Sequence, residues 1–216
     1  MKAMKHKYGY DPAEALAHLS ASDPALQELI ARVGPFALEM HGAKSLLESM
    51  LRSIIYQQLH AKAAGAIHGR VLALLEPNGG VTAEAIDCVS DTALRQAGLS
   101  ANKLLAIRDL AAKCREGTVP SLAEAKKLGD AELVERLTAV RGIGPWTVHM
   151  LLIFQLGRPD VLPTGDFAIR LAFKKLYRKR KDPSTAQIVK HARKWQPYRS
   201  VASWYLWRSL SPAGGT

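Results

Sequence analysis

The sequence is poor in the features that would place it in several large protein classes. Its 216 residues include two cysteines, Cys88 and Cys114, far apart and outside any CxxC. Two cysteines cannot hold a four-cysteine iron–sulfur cluster, and these two read as buried thiols in a reducing cytoplasm. No apolar run approaches the length of a membrane span, and the opening residues Met1 to Lys7 lack the apolar core of a signal peptide. No segment sustains the period-2 alternation of a half-buried strand, and no repeat of solenoid length occurs. The seven histidines are scattered, and no His/Cys/Asp/Glu set has transition-metal spacing. Acidic residues are the minority. Nineteen Asp and Glu face 30 Lys and Arg, for a net charge of +11 and a pI near 9.8. That balance favours a polyanionic partner, of which nucleic acid is the usual one, although basic proteins also bind acidic partners.

What is present reads as helix. Apolar residues make up 48% of the chain, enough to bury the core of one large domain or two small lobes. Asp11-Pro12-Ala13-Glu14 gives an N-cap, a first-turn proline and a capping-box glutamate. Ser22-Asp23-Pro24 opens a second helix. Leu46, Leu47, Met50, Leu51, Ile54 and Ile55 form a helical stripe facing a core. It ends in Tyr56-Gln57-Gln58-Leu59-His60, before a small-residue helix from Ala63 to Leu75. Thr82 and then Ser90 or Asp91 cap short helices, and Ser100 caps one through Lys113. Pro120–Lys127 and Asp130–Leu137 are expected helices. So is a helix capped by Ser184 through Lys194, with a final one carrying Trp204 and Trp207.

The organising stretch is Leu137 to Arg170. Leu137–Gly144 reads as a helix end, a tight turn with Gly142 and Gly144 flanking Ile143, and a new helix start. Glycine permits positive φ, and Pro145 suits a first helical turn. A helix opening on glycines presents N–H groups and a positive dipole end to a phosphate. The plain alternative is an ordinary helix–turn–helix linker. Pro145–Leu156 is an apolar helix. A Pro/Gly-punctuated loop then delivers Asp166 to the start of the next helix, where an aspartate also makes an ordinary N-cap.

The pattern Leu137-x-x-Val140-x-Gly142-Ile143-Gly144-x-Trp146-Thr147, followed by Asp166, resembles the helix-hairpin-helix plus Gly/Pro/Asp motif of the DNA glycosylase superfamily. Within it, the sequence is most similar to the 3-methyladenine (alkylpurine) DNA glycosylases. The resemblance runs from about Ser45 to Trp207. It also takes in Gln57-Gln58-Leu59, Gly98-Leu99-Ser100-x-x-Lys103 and Trp195-Gln196-Pro197-Tyr198-Arg199-Ser200.

The resemblance implies an all-α, two-lobed fold with the active site in the cleft between lobes. One lobe is expected over 44–158 and the other over 1–43 plus 159–216. It implies Asp166 as the catalytic carboxylate, with Asp160 as nearest rival. Trp146, Met150, Phe167 and Trp207 are implied in the base pocket, with core packing as the competing role for each. Leu59 is implied as the apolar wedge that fills the space of a flipped nucleotide, with Gln58 and His60 beside it. Lys103, Arg141, Gly142, Ile143 and Gly144 are implied at DNA phosphates, though a solvated lysine is the equal alternative at 103. The carbonyls of Thr138, Val140 and Ile143 are implied ligands of a monovalent cation (sodium or potassium).

A carboxylate beside the sugar stabilises an oxocarbenium-like transition state and can orient water. Lyase relatives form a Schiff base through a hairpin lysine, and here that position is Trp146, which cannot do amine chemistry. The expectation is therefore a monofunctional glycosylase in base excision repair. It would act on duplex DNA with alkylated purines, with no required cofactor, membrane or protein partner, as a cytoplasmic, nucleoid or nuclear monomer. The rivals are a non-catalytic hairpin DNA-binding module and a glycosylase for another lesion, such as uracil, a mismatch or oxidised guanine.

Overall fold

The computed structural model describes residues 8–210, and within them every regular element is helical. In chain order the α-helices are α1 Pro12–Ser22, α2 Pro24–Val33, α3 Leu46–Tyr56, α4 Ala61–Leu75, α5 Ala83–Cys88, α6 Asp91–Gln96 and α7 Ala101–Arg115. They continue with α8 Leu122–Ala125, α9 Asp130–Thr138, α10 Pro145–Phe154, α11 Phe167–Leu176, α12 Thr185–His191 and α13 Arg199–Arg208. Met1–Lys7, read against a signal peptide, and the Pro212–Thr216 tail lie outside the described residues.

Most helix starts follow from short polar side chains that satisfy first-turn N–H groups. Asp11, Asp23, Ser45, Thr82, Ser90, Ser100 and Ser184 each cap in this way. Two expected helices are shorter. Around α8 only Leu122–Ala125 is helical, set by a Ser121–Glu124 capping box, and α12 passes into a 3-10 turn at Ala192–Trp195.

The chain divides into two compact units, one of residues 8–41 and 149–210, the other of 42–148. The division falls inside α10, ten residues before the expected boundary at Arg158. In the 42–148 unit the α3 stripe is buried entire, and α7 packs on both α3 and α5 with Leu104, Ile107, Leu110 and Ala111 buried. The cysteines depart from expectation. Cys88 ends the short α5 and is exposed, and Cys114 is half-buried.

In the other unit α13 packs on α1, α2 and α11. Trp195, Tyr205 and Phe173 are the largest fully buried side chains, each worth roughly 1.5–3 kcal/mol of transfer free energy. The buried carboxylate of Asp23 ties the unit together. It accepts from Tyr177 Oη (2.6 Å), Trp195 Nε1 (2.8 Å) and His191 Nε2 (3.1 Å), and Lys194 Nζ lies 3.1 Å away. Burial alone would raise its pKa, but these four partners outweigh burial and hold the carboxyl well below the usual range.

Because the folded carboxyl titrates below the unfolded one, its contribution is complete above the unfolded value of about 3.9 and is lost progressively as pH falls from there toward the lower folded value. Melting curves of wild type should therefore lose more stability between about pH 5 and about pH 3 than those of Asp23→Asn. Asp23→Ala should cost about 3–5 kcal/mol at neutral pH, because the donors lose their acceptor. Equal acid sensitivity in wild type and Asp23→Asn would contradict this assignment.

Candidate active site and nucleic-acid interface

The hairpin joins α9 to α10. Gly142 has φ +77°, a left-handed conformation that an L side chain adopts only at a cost of roughly 1–2 kcal/mol. Not every N–H of the turn faces outward. Arg141 N–H donates to Asp109 Oδ2 (2.7 Å) and Ile143 N–H to the Val140 carbonyl (3.1 Å). The N–H groups of Gly142 and Gly144 have no partner among the described residues. Ile143 is 5% exposed, so its side chain is buried beneath the turn and leaves only its backbone for a ligand. The Arg141 side chain is exposed. Thr138 Oγ1 bonds back to the Val134 carbonyl at 2.7 Å.

A second turn follows α3. Gln58 takes φ +57°, uncommon for a non-glycine residue, and Leu59 after it is 40% exposed. His60 caps α4, its Nδ1 accepting from Lys62 N–H at 3.3 Å. Gln57 is a residue that sequence reasoning did not assign. Its Nε2 donates to the Gly142 carbonyl at 2.9 Å and so joins this turn to the hairpin.

Lys103 needs correction. Its ammonium is half-buried and donates to the carbonyls of Ile55 (2.6 Å) and Gln57 (2.9 Å), at the C-terminus of α3. It caps a helix end, where a cation meets the negative end of the dipole, and so is not a freely solvated lysine. Burial pushes its pKa down. Asp109, also missed, lies on the same helix. One side of α7 thus carries Lys103 for the first turn and Asp109 for the second. Between them is Ala106, whose Cβ would stand 3.7 Å from a Cβ at Gly142. The signal in the sequence was the spacing 103, 106, 109; their partners were not legible.

Asp166 caps α11, its Oδ1 accepting from Ile169 N–H at 2.9 Å and from Trp207 Nε1 at 3.3 Å. The Trp207 ring stacks on Phe154, centroids 5.8 Å apart, and Phe154 stacks on His41 at 5.4 Å. Phe154 was not singled out from sequence, although it repeats the Trp146 and Met150 spacing at i, i+4, i+8 on one face of α10. Phe167, directly after Asp166, is 77% exposed, and Trp146 is 49% exposed. Met150 is half-buried. Neither Phe167 nor Trp146 has the burial of a core residue. The rival Asp160 is occupied. Arg199 holds it bidentately, Nε–Oδ1 at 2.6 Å and Nη2–Oδ2 at 2.9 Å, and Gln196 adds a third donor.

Residues 51–197 match the model of the HhH-GPD superfamily of base excision DNA repair proteins. The chain belongs to that superfamily. It is 37% identical over 204 residues to DNA-3-methyladenine glycosylase 1 of Schizosaccharomyces pombe, covering 94% of this chain and 90% of the relative. Among solved structures it is similar to an S. pombe 3-methyladenine DNA glycosylase in complex with abasic DNA, with TM-score 0.78 and 38% identity over 94% of this chain and 99% of that one. It is also similar to a DNA-3-methyladenine glycosidase from Bacillus halodurans, with TM-score 0.83 and 35% identity over 95% and 92% of the two chains. Among the described residues, no helix is long and apolar enough to cross a membrane, and no group of three or more His, Cys, Asp or Glu side chains is placed to hold a metal ion.

The reassignment of Lys103 has a direct check. Lys103→Met should lower unfolding free energy in urea by about 1–2 kcal/mol, because two α3 carbonyls lose a charged donor. A lysine serving only an external phosphate would leave stability within about 0.5 kcal/mol of wild type.

Proposed function

We propose that this protein is a monofunctional DNA glycosylase of base excision repair. It hydrolyses the N-glycosidic bond of alkylated purines of the 3-methyladenine and 7-methylguanine type in duplex DNA, leaving an abasic site. The observation that carries this reading is the Asp166 carboxylate, fixed at the N-terminus of α11 by Ile169 N–H and Trp207 Nε1 beside the exposed ring of Phe167. The similarity to 3-methyladenine DNA glycosylases supports the substrate class.

Alkylation at purine N3 or N7 places positive charge on the base, which makes it a good leaving group without strong acid assistance. As the bond to C1′ breaks, the sugar gains oxocarbenium character, and Asp166 stabilises that charge and orients the attacking water. The water oxygen bonds to C1′, its proton passes to the carboxylate side, and the base leaves with the bonding electrons. Trp207 positions the carboxylate through its indole N–H. Phe167 and Trp207, with Met150, supply surface for the cationic base, each aromatic contact being worth roughly 0.5–2 kcal/mol, and Trp146 at the start of α10 offers an exposed ring of the same kind. With tryptophan at 146 there is no hairpin amine to form a Schiff base, so the backbone stays uncut.

Leu59 serves as the wedge, with Gln58 and His60 flanking it at the base edges. Gly142 and Gly144 receive a phosphate on their N–H groups, and Arg141 adds charge. The carbonyls of Thr138, Val140 and Ile143 are neutral hard oxygens of the kind that suit a monovalent cation, which would supply further positive charge toward a phosphate. Gln57, Lys103 and Asp109 act as positioning residues, keeping the wedge turn and the hairpin in register.

Single-turnover assays on duplexes with one 7-methylguanine or 3-methyladenine test this. Wild type should release the base, with strand breakage only after alkali. Asp166→Asn should lose about 10²–10³ in rate while still binding DNA. Binding without release by wild type would leave a DNA-binding module in place of an enzyme.

A further inference from the structure

In the unit of residues 8–41 and 149–210, a cavity of about 640 Å³ opens beside the C-terminal part of α11, the following loop, and α12 with its 3-10 extension. Its lining holds six cationic side chains, Lys179, Arg180, Lys181, Lys190, Arg193 and Lys194, and one acid, Asp182. That acid is already engaged by Lys174 at 2.7 Å, and Lys194 is engaged by Asp23 at 3.1 Å. The other five cations make no ion pair among the described residues. Lys190 and Lys194, and Lys190 and Arg193, stand at like-charge i,i+4 and i,i+3 spacings, which is unfavourable. A concave wall of one sign focuses its field outward, and an anion relieves the repulsion.

The cavity does not stand alone. A smaller depression of about 210 Å³, lined by Phe167, Arg170 and Leu171, shares Asp182 and Pro183 with it. It therefore leads from the cavity along α11 to the residue after Asp166. A ten-residue helix is about 15 Å long, which spans about four nucleotides at 3.4 Å each along a strand.

We propose that this basic cavity is a second DNA site, which holds backbone phosphates about four nucleotides to one side of the lesion. The proposal rests on the glycosylase reading for the identity of the polyanion. The Arg170 and Phe167 depression guides the strand between the reacting sugar and the cavity. The site contributes affinity and not chemistry, since none of its cations adjoins Asp166 in sequence or bonds to it.

The test is the salt dependence of binding to duplexes carrying an abasic-site analogue, for wild type and for Arg180→Gln/Lys190→Gln/Arg193→Gln. On a duplex with long flanks, the slope of log affinity against log salt should fall by about 2–3 in the triple variant, near 0.9 per lost contact. Shortening one flank to two base pairs should abolish the difference, and shortening the other should preserve it. Single-turnover base release at saturating enzyme should stay unchanged, which separates failure of this proposal from failure of the glycosylase reading. Arg193→Gln alone, at an exposed position, should lower the slope by about 1. Equal slopes for wild type and variants would overturn the proposal. So would a difference that survives both truncations, because the anion would then not belong to the flank of the substrate.

Discussion

A carboxylate can be held in one orientation only if something rigid donates to it, and the N-terminus of α11 is that rigid donor for Asp166. The Ile169 N–H is fixed by the helix, and the Trp207 indole is fixed by its stack on Phe154. The other end of the same helix is fixed in the same manner. Tyr177, just past α11, donates to the buried carboxylate of Asp23, which also gathers Trp195, His191 and Lys194. Helix α11 is thus pinned at both ends by a carboxylate that accepts from an aromatic donor. Its axis cannot shift without breaking one of the two sets. Preorganisation of this kind lets a single acid stabilise developing charge without reorganising first.

The unit of residues 42–148 solves a different problem, that of keeping two separate turns at fixed spacing. Both turns depend on left-handed backbone, at Gln58 and Gly142, and neither is stabilised by its own helix alone. Helix α7 supplies what they lack. Lys103 meets the end of α3, Asp109 meets Arg141 N–H, and Gln57 closes the triangle to the Gly142 carbonyl. On the proposed reading, in which the first turn carries the wedge and the hairpin receives a phosphate, both work on one duplex only if their separation is set before binding. Each of these bonds joins a side chain to a backbone group of a turn or helix end, so the backbone itself is held in place.

Much of this was legible in the sequence, and the reasons differ by residue. The caps were readable because an N-cap is a local event, a short polar side chain bonding two or three residues on. The α3 stripe was readable because 3.6 periodicity records burial directly. The placement of Asp166 at the start of α11 and of the Gly142–Gly144 turn between α9 and α10 was readable because a motif fixes their register. Lys103 was not, because its partners, Ile55 and Gln57, lie 48 and 46 positions away and are backbone carbonyls, which carry no sequence signature. Phe154 was overlooked for a different reason. In a helix of mostly apolar residues, one more aromatic carries no contrast. Whether Phe167 and Trp146 were core or surface was also undetermined by pattern, and their exposure of 77% and 49% came only from the fold. The buried state expected for Cys88 failed because α5 is short and the residue falls at its exposed end.

The central claim is that Asp166 faces the reacting sugar while Leu59 occupies the base stack. A crystal structure of the protein bound to a duplex with a charged abasic-site analogue that mimics the oxocarbenium ion would test both at once. The account predicts an Asp166 carboxylate oxygen at ion-pair distance, about 3–4 Å, from the cationic ring atom. It also predicts the Leu59 side chain in the space left by the flipped nucleotide. A sugar analogue lying against Asp160 or Arg199, or a stack left intact with Leu59 outside it, would contradict the account.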